Sequence, residues 1–152
     1  MNAFDDSLSQ EIAPLLASLT EHLRAGTVDV KAHRMLLRLR EAFPLALASH
    51  SEWLMTALFP ALYESMAGSD AVCIRDMEGG LCEGHRSLSA QWHALEPMLG
   101  KDASPPSDAG ALLAHLEPLA ALYARQAAFE QDELFPMAER LLSDEVLAHL
   151  RA

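Results

Sequence analysis

The sequence predicts an all-α domain: four long helices in an up-down-up-down bundle, followed by a short C-terminal helix. Three observations lead there. Hydrophobic residues make up 51% of the 152-residue chain, mostly Leu and Ala with few aromatic or β-branched residues, which favours helix over sheet. Apolar residues recur at spacings of three and four along most of the chain. The chain also nearly repeats itself: Leu58-Phe59-Pro60-Ala61 returns as Leu134-Phe135-Pro136-Met137, an offset of 76, half of 152. The same offset pairs Trp53 with Phe129, Ile12 with Leu88, Leu16 with Trp92 and Leu19 with Leu95. One domain spanning 1–152 therefore reads as two halves, about 7–66 and 83–142, each a pair of helices.

The elements follow in order. Ser7 and Gln10 have the spacing of a capping box, and Leu8, Ile12, Leu15, Leu16 and Leu19 carry a first helix to Gly26. Pro14 either kinks this helix or marks its true first turn. Asp29 caps a second helix with a stripe of Met35, Leu36, Leu39, Phe43, Leu47, Leu54, Leu58 and Leu62, which Gly68 closes. Pro44 and Pro60 should bend it without ending it. Residues 69–84, with Gly79, Gly80 and Gly84, are the least regular stretch. A third helix then carries His85, Leu88, Trp92, Leu95 and Leu99 to Gly100. The segment 101–107 is a linker, and Ser107 or Asp108 caps a fourth helix through Leu112, Leu116, Leu119, Tyr123, Glu130 and Leu134 towards Leu142. Ser143-Asp144-Glu145 opens the short last helix, ending near Leu150.

Charge and composition narrow the function. A net charge of −11 repels phosphate backbones and anionic membranes, so neither nucleic acid nor a membrane is an expected partner. No apolar run is long enough to span a bilayer, and the start Met1-Asn2-Ala3-Phe4-Asp5-Asp6 lacks the basic and apolar parts of a signal peptide. With only two cysteines, the expected location is cytoplasmic. Cys73 and Cys82 are nine apart, without zinc-finger spacing, and read as ordinary thiols before a redox pair. There is no nucleophile–base arrangement, phosphate loop or basic patch, so classical catalysis is not expected.

The chemistry concentrates at fixed distances from the repeated Leu-Phe-Pro. Eight and four residues before its Leu stand Gln126 and Glu130 in the second half, and His50 and Leu54 in the first. Residues four apart share a helix face and can aim donors at one point. The preceding helices offer His85 and, at the same offset, Ser9.

A His, then His-x-x-x-Glu before Leu-Phe-Pro, occurring twice, resembles the hemerythrin-like (HHE) domains. The tail Leu-Phe-Pro-Met-Ala-Glu-Arg-Leu-Leu-Ser-Asp-Glu is similar to that family's ending, and the resemblance runs from about Ser7 to Leu150. It implies a four-helix bundle around a non-haem di-iron centre that binds oxygen or related small molecules. Three of six implied ligand slots keep a ligand: His50, His85 and Glu130. Ser9, Leu54 and Gln126 stand where the family has His, Glu and His. Leu54 matters most, because an apolar branch replaces a bridging carboxylate; Gln126 offers a carbonyl oxygen and Ser9 a hydroxyl.

The expected reading is a divergent hemerythrin-like domain without the di-iron centre, serving as a structural or protein-interaction module. In that case His50, His85, Gln126 and Glu130 form a buried polar network whose members satisfy one another. The alternative is a module that binds a single weakly held iron or other divalent metal through His50, His85 and Glu130, for oxygen, nitric oxide or redox sensing. Two imidazoles and one carboxylate are the composition of a mononuclear iron triad. Gln126 and Tyr123 are further candidate ligands, as are Asp5 and Asp6 near Ser9. Either reading leaves room for a protein partner or a homodimer. His22, His33, His93, His115 and His149 lie outside these slots, and Met55, Met66, Met98 and Met137 read as packing residues. Of the acidic group, Glu130 faces inward by periodicity, with Asp132 and Glu133 in solvent.

Overall fold

The computed structural model describes residues 7–65, 70–99 and 108–151, with side chains from Gln10 and from Ala71 in the first two segments. Every regular element among them is helical: α1 (Ser7–Arg24), α2 (Val30–Trp53), α3 (Phe59–Ser65), α4 (Asp70–Leu95), α5 (Ala109–Phe129), α6 (Phe135–Leu141) and α7 (Asp144–Arg151). A single 3₁₀ turn, Glu96–Met98, extends α4. The Ser7 cap, the Gly68 stop, Gly100, the 101–107 linker with Ser107, Met66, Asp5, Asp6 and the Ser9 side chain lie outside what is described.

Helix ends follow local chemistry. Gly26 takes φ 99°, a left-handed conformation that favours glycine, and α1 stops there. Asp29 and Asp108 each accept a backbone hydrogen bond at 2.9 Å, from Ala32 and Ala111, capping α2 and α5. The Ser143 hydroxyl accepts from Val146 N–H at 3.2 Å at the head of α7. Pro14 and Pro44 sit inside α1 and α2, so Pro14 does not mark a first turn.

Pro60 and Pro136 are accommodated differently. Each is preceded by a five-residue π turn, Leu54–Leu58 after α2 and Glu130–Leu134 after α5. The Phe59 N–H bonds the Leu54 carbonyl, and Phe135 N–H that of Glu130, five residues back instead of four. Proline has no N–H, and its ring crowds the carbonyl four residues earlier. Widening the preceding turn by one residue lets the chain stay helical through it. The two π turns and the seven-residue helices after them keep the sequence offset of 76 without slippage.

The stretch 69–84, expected to be irregular, is helical from Asp70 onward: α4 runs unbroken through Gly79, Gly80 and Gly84. Ile74 and Leu81 are buried and anchor that segment, and tertiary packing outweighs the glycines' weak helix propensity. At Gly84 the residue has a further reason: an added Cβ would overlap the Gln126 side-chain amide of α5.

Around the domain, α1 packs on α2 and α5, and α4 packs on α5 and α2, so the long helices touch in a closed ring. The described residues form two apolar cores, of which only the first draws on all four of these helices. One joins Ile12, Leu16 and Leu19 of α1 to Leu36, Leu39 and Phe43 of α2, Leu88, Trp92 and Leu95 of α4, and Leu112, Leu116 and Leu119 of α5. Phe43 stacks on Trp92 at 4.7 Å within it. The other gathers Leu54, Leu58, Phe59 and Leu62 with Ile74, Leu81, Leu134, Phe135, Ala138 and, from α7, Leu147. Met137 is buried in this core with Met55 beside it, and Met98 packs on the first, as expected of packing residues. In sequence, a polar level separates the two cores on every helix that reaches both: His50 on α2, His85 on α4, and Gln126 and Glu130 around the end of α5. No helix among the described residues is long and apolar enough to cross a membrane.

Candidate functional site: a cavity at the polar level

His50 closes the last turn of α2, one turn before Leu54, and Gln126 stands in the same place before Glu130. The two slots four residues on open the two π turns, so equivalent backbone presents them. Their side chains diverge: Leu54 is fully buried in apolar packing, and Glu130 is 7% exposed beside a cavity.

His50 Nε2–H donates to Glu130 Oε1 at 2.7 Å, joining α2 to the second π turn across 80 residues of sequence. The two side chains are 16% and 10% exposed, which makes this the most buried ion-pair geometry among the described residues. The His85 ring stands edge-on to His50, 6.2 Å between centroids, and His85 is 8% exposed. Burial pushes the His85 imidazole below its ordinary pKa of 6.5; Glu130 pulls it back upward and His50 lowers it further. Its Nδ1 is buried without a hydrogen-bond partner, as is Gln126 Oε1.

A cavity of about 310 Å³ joins these groups. His50, His85, Tyr123, Gln126 and Glu130, all expected at the site, line it, together with Phe43, Ala46, Leu88 and Phe135. Gln10 and Gln131, both exposed, stand at its edge. The polar constellation read from the repeat is thus one place in space. Among the described residues no three His, Cys, Asp or Glu side chains come close enough together to form a metal-ligand group. Gln126 is held over Gly84, a through-space match between α4 and α5 that sequence spacing did not signal. Phe43 was legible as core, and its second role as cavity wall was not.

The remaining candidates disperse. Asp132 and Glu133 are exposed, as their periodicity required. His22 pairs with Asp29 at 2.7 Å near the surface, and His93, His115 and His149 are exposed. Cys73 is exposed and free, whereas the Cys82 thiol rests 3.5 Å from Met55 Sδ, so the two do not form a disulfide.

Comparison with known proteins decides no kinship. No family model, curated protein or solved structure matches the chain.

Proposed function

We propose that the chain is a divergent hemerythrin-like domain, an up-down-up-down four-helix bundle, in which a metal-free His50–Glu130 pair stands in place of a dinuclear centre. It acts as a structural or interaction module and not as a catalyst. The observation that carries this is the asymmetry of the twin π turns. Two like-charged cations close together need a bridging carboxylate from each half, and the first turn supplies Leu54, sealed in an apolar core. Of the second half, the Glu130 carboxylate already accepts from His50, and the Gln126 amide lies against Gly84. The residues present do not fit a di-iron centre.

One observation favours the second reading, a single divalent ion held by His50, His85 and Glu130, which would have to draw together from the positions they hold here. The His85 Nδ1 is buried and unpartnered, and a ring nitrogen in that condition suits a metal as well as a hydrogen bond. Elemental analysis of protein expressed in iron-supplemented medium separates the readings. The unmodified chain should carry far less than one iron, and the Leu54→Glu, Gln126→His double variant should gain metal. About two irons per unmodified chain would overturn the proposal, and about one would establish the second reading.

A further inference from the structure

The cavity has the chemistry of a cation site, and not only of a metal one. Phe43, Tyr123 and Phe135 bring three aromatic rings to the same space as the Glu130 carboxylate. Gln126 Oε1 is a buried acceptor without a partner, and burial disfavours the charged form of His85. Carboxylate and amide oxygens only accept hydrogen bonds, and the ligand that complements them is rich in N–H donors. Ring faces attract a cation as well. A net charge of −11 raises the local concentration of cations and lowers that of anions.

Size and access narrow the class. The 310 Å³ cavity holds the equivalent of about ten water molecules, near the lower end of ligand pockets. Ile12, Ala46, Leu47 and Leu88 line it beside the rings, so the ligand's body must be apolar. Gln10 and Gln131 at the edge are exposed, so the space opens to solvent beside α1 and the second π turn.

We propose that this cavity binds a small organic ammonium ion, a primary amine on a short aryl or alkyl body. Its N–H groups bond Glu130 and Gln126 Oε1, and its body packs among Phe43, Tyr123 and Phe135. The inference rests on the metal-free reading of the site, and the test keeps the two apart.

Metal content is measured first on the full chain, which is then treated with chelator and titrated calorimetrically with benzylamine, benzyl alcohol and benzoate. Benzylamine should bind at least tenfold more tightly than its neutral isostere, and benzoate should not bind. Glu130→Gln keeps the shape and removes the charge, so it should erase the preference. Gln126→Leu leaves the His50–Glu130 hydrogen bond intact and should weaken benzylamine at least threefold with little effect on the alcohol; it serves even if Glu130→Gln does not fold. Ala46→Leu, which fills the cavity from α2, should weaken both ligands. Equal binding of amine and alcohol, no binding by the metal-free chain, or a preference that survives both polar variants overturns the proposal while leaving the metal-free reading intact. Stoichiometric iron that resists chelation overturns both.

Discussion

The His50–Glu130 pair makes a sharp energetic prediction, because removing one partner and removing both should have opposite consequences. In His50→Leu the Glu130 carboxylate, 10% exposed, loses its donor. Breaking a fully buried pair costs about 3–5 kcal/mol. The residual exposure of both side chains and the adjoining cavity admit some water, so about 2–4 kcal/mol is expected here. For a domain of this length that lowers Tm by about 4–16 °C. Glu130→Leu instead removes the acceptor that His50 Nε2–H uses, at about 1–3 kcal/mol. The double variant His50→Leu, Glu130→Leu leaves neither member of this bond without the other and extends the apolar core that already surrounds Leu54, so it should match or exceed the unmodified chain in stability. Urea denaturation followed by circular dichroism at 222 nm, with comparable m-values throughout, closes the double-mutant cycle. A double variant as unstable as the sum of the two singles would refute the reasoning. A double variant of full stability would mean that the pair does not persist for the sake of folding, which is the result a binding role requires.

The glycines and His85 give further expectations. Gly79→Ala should stabilise by about 0.5–1 kcal/mol, because it lies inside α4 where an added Cβ meets nothing. Gly84→Ala should lose that gain by displacing the Gln126 amide; thermal melts of the two variants check the contrast, and equal stabilisation by both would refute it. Burial holds folded His85 below its ordinary 6.5, so the unfolded chain protonates this ring at higher pH than the folded one. Stability from this group is therefore complete above about pH 6.5 and falls as pH drops below it. Denaturation midpoints at pH 7.5 and 5.5 should differ less for His85→Gln than for the unmodified chain, and an unchanged difference would refute the assignment.

Much of this was legible from residue spacing, and the remainder was hidden for physical reasons. Stripes such as Leu36-Leu39-Phe43 and Leu112-Leu116-Leu119 report burial directly, and all six residues are buried. The repeat placed His50, His85, Gln126 and Glu130 at one level, because four-residue spacing on helices translates into position with little ambiguity. The start of α4 was hidden because Gly79, Gly80 and Gly84 speak against helix locally, while the burial that overrides them comes from partners distant in sequence, such as the Ile74 and Leu81 neighbours in the second core. The prolines of Leu-Phe-Pro announced a perturbation and not its form: a bend and a π turn both relieve the same crowded carbonyl.

The twin π turns also govern rotational phase. An α-helix advances about 100° per residue, so one surplus residue turns everything upstream by that angle relative to everything downstream. Deleting a residue from Leu54–Leu58 or Glu130–Leu134 would leave a simpler rod whose tip still packs. It would swing His50 in the first case, or Gln126 in the second, about a quarter turn off the axis. The polar level thus depends on two single-residue insertions acting as angular spacers, and losing one would turn the apolar stripe on one side of that level out of phase together with the site.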